Sequence, residues 1–372
     1  MKVGYMKLQL LLIILLLVVT MTACDQKAAT PAGAPGKWDS EKIVVHGLQE
    51  QDFEITLGDL KKLPAVTRRA ESTRANGKKI KVDATGPLLD TFLQQYGKTQ
   101  KDFSCVRFSA KDKYSIAVPH DILVNRPVIL SYINKGQPLE DDAQPVQVVI
   151  PGERAMYWVG SMNRMDFETG DSRKPANKVV FLDTAARNLP QGDYQYYDSV
   201  DQAIKTQDLI AKYADINDPT VARVFMKAGD GLQKNETKTN FLSAFIKMTG
   251  QEAPKFLAPQ LPQGMHIKGL LLIIYGRTAI FNYAEGTTCL PKQTFEDKEG
   301  IAFSQIVKQI GLAGGNRYKF TSADGKSIEL ATTDLGNGGL IYQNDQGAPA
   351  FICTGPSGKK MVDELLSIEV LP

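Results

Sequence analysis

The side chains of this sequence that could bind a soft metal or act as nucleophiles are few: four cysteines and three histidines. The histidines, His46, His120 and His266, are too widely spaced to suggest a metal site, and no Cys-x-x-Cys-His haem sequence is present. No glycine-rich phosphate loop of standard spacing occurs, and no nucleophile stands beside an evident base. Thiols are therefore the main reactive groups, and they belong to Cys24, Cys105, Cys289 and Cys353.

Cys24 ends a segment that has the layout of an export signal. Lys2 and Lys7 precede an apolar run at 10–19, and the sequence Met-Thr-Ala stands directly before the cysteine. The layout resembles the lipobox of bacterial lipoproteins, in which cleavage leaves the cysteine as a lipidated amino terminus. An uncleaved membrane helix is the alternative, although the apolar run is shorter than the roughly 20 residues that span a bilayer.

The resemblance implies a signal peptide at residues 1–23 and lipidation of Cys24. Residues 24–40 contain an Ala-, Pro- and Gly-rich stretch with little to bury, which is expected to form a flexible tether. The folded part would then lie outside the cytoplasm, held at the cell membrane by lipid chains. The later apolar run 269–276 is short and bracketed by glycines, which is typical of a buried strand.

Charge and length limit the classes of protein that need to be considered. The 44 Lys and Arg residues nearly balance the 41 Asp and Glu residues, and the net charge of +3 gives no sign of a nucleic-acid surface. A chain of 372 residues, less signal and tether, suggests two domains. Without Cys24 the number of cysteines is odd, so at least one of them is unpaired or pairs outside the chain.

Two regions of the chain resemble each other. Both contain a glycine, a short amphipathic helix and a second glycine, followed by two alternating strands around an Asp-containing turn and then by further apolar strands. The matching segments are 86–97 with 300–311, 108–116 with 320–328, 145–152 with 349–355, and 162–167 with 366–370. This pattern predicts a tandem duplication of one α+β unit, with chance similarity of common local patterns as the alternative.

The duplication implies a domain organisation. We expect a first unit at 41–168, a linker or insertion at 169–219, and a second unit at 220–372 that includes a helix over 241–248. The first unit opens with a strand at 53–56, followed by Thr56 as a helix cap and one helical turn that stops before a proline.

Several short motifs occur in order along the two units. The first carries Ile-Thr-Leu-x-Asp-Leu-x-x-Leu-Pro at 55–64, Gly-x-x-Leu-x-x-Phe-Leu at 86–93, and Asp-x-Tyr-Ser at 112–115. The second carries Gly-x-Pro at 347–349 and a Gly and Lys turn at 355–359, before a last strand. With these motifs the two units resemble the molybdopterin-binding domain of the sulfite oxidase family. The resemblance implies an α+β fold of two mixed α/β units, largely β-sheet with short helices, and an ancestor that held a molybdenum cofactor.

The residues that would hold this cofactor are mostly missing. In the family a cysteine thiolate binds molybdenum shortly before the Gly-x-x-Leu helix, but the first unit has no cysteine at 67–74. The second unit has Cys289, eleven residues before Gly300 (300 minus 289), at the place that the resemblance assigns to the ligand. A half-buried cysteine, or a disulfide with Cys353, is the alternative there.

Of the other positions that characterise the family, some match this sequence and others do not. Gly358 and Lys359 match the turn that meets the pterin phosphate, whereas Phe351 and Gln147 replace the arginine that follows Gly-x-Pro in the family.

The resemblance and the signal together favour a lipid-anchored binding or assembly module without a cofactor, beside a membrane redox or transport system. The signal has separated lysines rather than the paired arginines of proteins exported with their cofactor bound. A molybdopterin-dependent oxidoreductase that uses Cys289 is one alternative, and a solute-binding lipoprotein of a transporter is another. The expected partners are the membrane and an unidentified small ligand, with no nucleic acid.

Replacing Cys24 with alanine should release the protein from the membrane, because this thiol is the only expected site of the lipid. Cell fractionation with detection of the chain measures the effect, and Cys105→Ala serves as the control that stays attached. A Cys24→Ala chain that remains in the membrane fraction would contradict the lipoprotein assignment.

Overall fold

The computed structural model describes residues 36–73, 78–169, 174–196, 199–335 and 338–371. The predicted signal, Cys24 and most of the expected tether lie outside the described residues. Within the described part of the chain, no helix is long and apolar enough to cross a membrane.

The structure is mixed α/β and rich in strands, with short helices, as the sequence predicts. The helices are α1 (Leu57–Lys61), α2 (Leu89–Leu93), α3 (His120–Asn125), α4 (Leu182–Arg187), α5 (Thr206–Tyr213), α6 (Lys238–Leu242), α7 (Tyr283–Cys289) and α8 (Phe303–Ile310). The strands up to residue 168 are β1 (Lys42–His46), β2 (Phe53–Thr56), β3 (Ala65–Thr73), β4 (Lys79–Pro87), β5 (Cys105–Ala110), β6 (Ser115–Pro119), β7 (Ile129–Ser131), β8 (Ile133–Asn134), β9 (Gln137–Pro138), β10 (Gln147–Val149) and β11 (Met162–Glu168).

The strands that follow fall into two further groups. The first group is β12 (Lys178–Phe181), β13 (Gly192–Tyr196), β14 (Ser199–Lys205), β15 (Arg223–Ala228), β16 (Gln233–Thr237), β17 (Phe245–Lys247), β18 (Lys255–Leu257) and β19 (Leu270–Tyr275). The second group is β20 (Thr278–Phe281), β21 (Gln293–Phe295), β22 (Lys298–Ala302), β23 (Arg317–Ser322), β24 (Ser327–Ala331), β25 (Leu340–Gln343), β26 (Pro349–Gly355), β27 (Gly358–Val362) and β28 (Leu365–Leu371).

The chain forms two compact units. Of the described residues, the smaller one comprises 36–43 together with 54–100 and 126–160, and it contains a sheet with the strand order β3-β4-β8-β9 and the pair β10-β7. The larger one comprises 44–53, 101–125 and 161–372. It contains the neighbouring strands β1-β11-β5-β6, an eight-stranded sheet, and two smaller sheets with the orders β13-β14-β17-β18 and β21-β22-β25-β26-β27.

One order of elements occurs three times along the chain: an opening strand, a helix, two strands, a second helix, a hairpin, a short helix, two to four further strands and a closing strand. The short helix is α3 in the first module, α6 in the second and a 3-10 helix, Thr332–Leu335, in the third. We call these stretches the first module (53–168), the second module (178–275) and the third module (278–371). Their opening strands are β2, β12 and β20, their hairpins are β5–β6, β15–β16 and β23–β24, and their closing strands are β11, β19 and β28.

The three hairpins have the same dimensions and the same turn. Each has a first strand of 6 residues and a second of 5 residues. In each turn an aspartate side chain accepts a hydrogen bond from the backbone two residues later, which is the bonding of an Asx turn. The bonds run from the Tyr114 nitrogen to Asp112 at 2.8 Å, from Leu232 to Asp230 at 2.9 Å, and from Lys326 to Asp324 at 3.0 Å.

The second and third modules share the eight-stranded sheet, whose order is β16-β15-β19-β20-β12-β28-β23-β24. The two opening strands, β12 and β20, pair in parallel at its centre. Each opening strand also pairs in antiparallel fashion with the closing strand of the other module. The two modules therefore exchange their opening strands and form one continuous sheet.

Both faces of this sheet are buried at its centre. Along β19, Leu272 and Ile274 belong to one apolar core, whereas Ile273 and Tyr275 belong to the core on the opposite face. A strand buried on both faces needs a continuous apolar run, because neighbouring side chains point in opposite directions. This explains why all of β19 is buried, and the predicted buried strand is confirmed.

The structure differs from the two-unit expectation between residues 169 and 219. The expected linker contains the strands β12, β13 and β14 and the helices α4 and α5. The internal sequence resemblance does not extend to the second module, because Ala203 stands three residues before its second helix, where the other modules have Gly86 and Gly300.

Of two local predictions from the sequence, one is confirmed and one is wrong. Thr56 caps α1 in a capping box with Asp59, as predicted. The predicted helix over 241–248 is wrong, because α6 ends at Leu242 and β17 follows at 245–247.

Replacing Gly300 with alanine should destabilise the protein by ~2 kcal/mol or more, because the new Cβ would lie 2.1 Å from the Ile341 carbonyl oxygen. The free energy of unfolding, measured by urea denaturation, reports the effect. Gly192→Ala is the matched control, since no atom lies within 4 Å of a Cβ at that position. Equal stability of the two variants would contradict the close approach.

Candidate functional site

Cys289, the predicted molybdenum ligand, is the last residue of α7 and is exposed. Its thiol donates to the Glu285 carbonyl oxygen at 3.4 Å. Partial burial and the nearby Glu285 carboxylate raise the pKa of the Cys289 thiol. A thiol must lose its proton to bind a metal, so these surroundings make Cys289 a poor metal ligand.

Gly358 and Lys359 lie on the hairpin that joins β26 and β27. Gly358 has a φ of 87°, so the turn uses the left-handed region that glycine enters at little cost. The Lys359 ammonium donates to the Glu296 carboxylate at 2.5 Å, and this hydrogen bond raises the pKa of Lys359. The charge expected to meet a pterin phosphate is therefore already paired with a carboxylate.

The other thiols do not supply a ligand either. Cys353 is fully buried in the same core as Phe351, whose ring stacks on Phe320 with 4.0 Å between centroids. Phe351 thus fills apolar space where the family resemblance would place an arginine. No disulfide joins the described cysteines at 105, 289 and 353, so the Cys289–Cys353 alternative is not realised.

Apart from the single thiol of Cys289, the described residues offer no cluster of metal ligands. In the part of the chain that the structure describes, no group of three His, Cys, Asp or Glu side chains could hold a metal ion. Strand β3, which covers most of the place where the first unit would carry the ligand, has no thiol. The histidines remain apart, with His46 bonded to Asp52, His120 to the Phe103 carbonyl and His266 to the Ala258 carbonyl.

A large cavity lies elsewhere, within the larger unit. Its volume is about 1260 Å³, and residues of the hairpins β5–β6 and β15–β16 line it together with the segments at 218–223 and 274–277. This volume exceeds the roughly 300–1,000 Å³ of typical small-molecule sites. Phe103 and Phe225 supply apolar surface, and Arg223, Lys234, His120 and Glu168 supply polar groups.

A buried arginine supports one wall of the cavity. Arg107 is only 2% exposed, and its guanidinium pairs with Glu168 at 3.0 Å and donates to the Asn235 carbonyl at 3.4 Å. Burial raises the pKa of Glu168, but Arg107 and the Cys105 thiol lower it by more, so this carboxyl stays ionised. The Nε atom of Arg107 is buried and has no hydrogen-bond partner.

Arg223 brings a second guanidinium to the same cavity wall. Its partial burial and the nearby Arg107 charge both lower the pKa of Arg223. The carboxylates of Asp166, Glu168 and Glu236 act on Arg223 in the opposite direction, so the two guanidiniums lie among several negative charges.

Lys234 is the second buried cation. It lies in β16, is 3% exposed, and donates to the Gly264 carbonyl oxygen. Its other close contacts are the Met265 sulfur at 3.6 Å and the Tyr114 ring, whose centroid lies 5.5 Å from the Nζ atom. Burial lowers the pKa of Lys234 to about 7.

Sequence reasoning missed Arg107, Arg223 and Lys234. Their positions were visible in the alternation of the hairpin strands, where a charge at an inward-facing position is unusual. The duplication predicted from the sequence does not include the second module, so it gives no comparison of this hairpin with the other two.

The comparisons with known proteins address the fold of one part of the chain. Residues 29–176 match the family model of the oxidoreductase molybdopterin binding domain, and this range includes the first module. Among solved structures, the chain is similar to the sulfane dehydrogenase SoxCD from Paracoccus pantotrophus at 14% identity and a TM-score of 0.32, over 65% of this chain and 65% of that chain. A comparison with curated proteins gives no match.

Replacing Lys234 with methionine should change how stability depends on pH. The folded-state pKa of about 7 lies below the roughly 10.4 of an unfolded lysine, so the unfolded chain binds more protons between these values. The free energy of unfolding of the unsubstituted protein should therefore rise with pH across this window, relative to Lys234→Met, by on the order of a few kcal/mol. Urea denaturation between about pH 7 and 10 measures both proteins, and parallel profiles would contradict the buried charge.

Proposed function

We propose that this protein is a lipid-anchored, extracytoplasmic binding module that uses a molybdopterin-domain fold to hold a small ligand and catalyses no reaction. The observation that carries the proposal is the cavity of about 1260 Å³, whose wall combines apolar side chains with many charged and polar ones. Small-molecule sites are likewise concave and combine apolar surface with polar groups that orient the ligand.

The surroundings of Cys289 and Lys359, two residues expected to hold the cofactor, support a binding role. The thiol at position 289 is exposed and has a raised pKa, and the lysine at 359 is paired with a carboxylate. In a cofactor enzyme the protein supplies binding and orientation while the cofactor does the difficult chemistry. A chain without suitable ligands keeps the fold and can use it for another site.

The anchor determines where this binding would occur. With Cys24 lipidated, the cavity faces the space outside the cytoplasm, where a membrane redox or transport system can receive or deliver the ligand. The cavity also suits the alternative of a solute-binding lipoprotein, which would release its ligand to a permease. An oxidoreductase that uses Cys289 is the remaining alternative.

Elemental analysis for molybdenum and tungsten, on protein isolated from its native membrane, separates these functions. We expect neither metal at a stoichiometric level in the unsubstituted protein or in Cys289→Ser, because the pKa of this thiol is raised and Lys359 is paired with Glu296. Thr288→Ala, an exposed neighbour on the same helix, is the matched control for disturbance of α7. Near-stoichiometric metal that is lost only in Cys289→Ser would overturn the proposal and establish an oxidoreductase.

A further inference from the structure

The hairpins of the second and third modules both begin with an arginine. Arg223 is the first residue of β15, and Arg317 is the first residue of β23. The third residue of the second strand is Asn235 in one hairpin and Glu329 in the other, and each stands opposite the residue two places after the arginine. Because the strand lengths, the turn lengths and the register agree, the two pairs of residues occupy equivalent places.

In the third module this pair of positions forms a salt bridge. The Arg317 guanidinium donates to the Glu329 carboxylate across the hairpin. The two residues are diagonal neighbours, and long side chains can reach each other in this arrangement of antiparallel strands. The hairpin geometry therefore accommodates a carboxylate as the partner of its first arginine.

In the second module the carboxylate of this pair is replaced by the amide of Asn235. Within the described residues, no group accepts a hydrogen bond from the Arg223 guanidinium, and no carboxylate forms an ion pair with it. An arginine side chain has five N–H donors and stays charged in a protein. Arg223 therefore has the charge of Arg317 without the built-in partner.

The carboxylates that act on the charge of Arg223 from a greater distance already have partners of their own. The pairs are Asp166 with Arg164 at 2.6 Å, Glu168 with Arg107 at 3.0 Å, and Glu236 with the Asn240 side-chain amide at 2.9 Å. These carboxylates favour the charged form of Arg223, but they do not receive its hydrogen bonds.

The side chain of Arg223 is accessible from the cavity. Arg223, Phe225 and Asn235 lie on one face of the hairpin β15–β16, and all three line the cavity. Arg223 is also exposed. The hairpin β5–β6 contributes Ala117 and Pro119 to the cavity wall, and neither side chain carries a charge.

We infer that Arg223 binds the carboxylate of a small organic ligand inside this cavity. The inference rests on the proposed binding function and names its ligand class. A ligand carboxylate would take the place that Glu329 has beside Arg317. A guanidinium presents paired donors that match the two oxygens of a carboxylate, and hydrogen bonds between ionised partners are the stronger kind. Phe225, on the same face of the hairpin, offers apolar surface to the body of the ligand.

Isothermal titration calorimetry of the full chain, extracted from its membrane in detergent, tests the inference with benzoate and benzamide as probes. The two probes share a ring, and only benzoate carries a carboxylate. We expect benzoate to bind at one site, and both the exchange of benzoate for benzamide and the variant Arg223→Gln to weaken binding at least ~10-fold. Arg317→Gln is the matched control, because it removes the same group at the equivalent place in the third module and should leave benzoate binding unchanged.

A second pair of variants keeps Arg223 and changes the charge beside it. Asn235→Glu introduces the residue of the third module, so it should fold, and its carboxylate should pair with Arg223 as Glu329 pairs with Arg317. Benzoate should then bind at least ~10-fold more weakly than to Asn235→Gln, which has a side chain of the same size without the charge. Equal benzoate affinity in these two variants would overturn the inference, even where Arg223→Gln does not fold.

The outcomes distinguish this inference from the proposed function. Equal benzoate affinity in Arg223→Gln and in the unsubstituted protein would overturn the inference. Protein that retains an uncharged molecule from its native membrane, but binds no benzoate, would also overturn it and would leave the binding function standing. If benzoate does not bind and no small molecule is retained, both fail.

Discussion

The pairing of each closing strand with the first strand of its hairpin is the constraint on which the rest of the structure depends. In all three modules the fourth residue of that first strand faces both its hairpin partner and the closing strand: Phe108 faces Met165, Met226 faces Ile273 and Phe320 faces Ile368. An Asx turn fixes the hairpin, and the register then determines which side chains point inward. A slip of one residue would exchange the two faces of the strand. The register therefore places the Lys234 side chain on the face of β16 opposite to Gln233 and Asn235.

The sequence predicts those features that depend on local chemistry. Thr56 followed by Asp59 specifies a capped helix, and a short apolar run between glycines specifies the strand β19. The segment at 241–248 fails because its apolar spacing suits a helix, whereas the register of β17 between β14 and β18 imposes a strand. The exchange of opening strands between the second and third modules depends on contacts far apart in sequence, and no local pattern reports it.

In the candidate site, too, the sequence predicts some features and only the folded chain reveals the others. Cys289, Gly358 and Lys359 stand where the family resemblance places them in the sequence, but burial, hydrogen bonding and ion pairing decide what they can do. The structure surrounds the thiol with groups that keep its proton and gives the lysine a carboxylate partner. Arg107 and Lys234 have no motif around them, and their importance comes from burial beside a cavity, which only the folded chain reveals. The hairpins act as internal controls, because Arg317 and Glu329 show how the position of Arg223 is paired where the hairpin supplies its own carboxylate.

The central claim is that this fold serves ligand binding through the cavity. Native mass spectrometry of the chain, released gently from its native membrane, is the most direct test of it. The account predicts a population heavier than the lipidated chain by the mass of a small organic ligand. Only the bare lipidated chain, or a mass increase that contains molybdenum and a pterin, would contradict it.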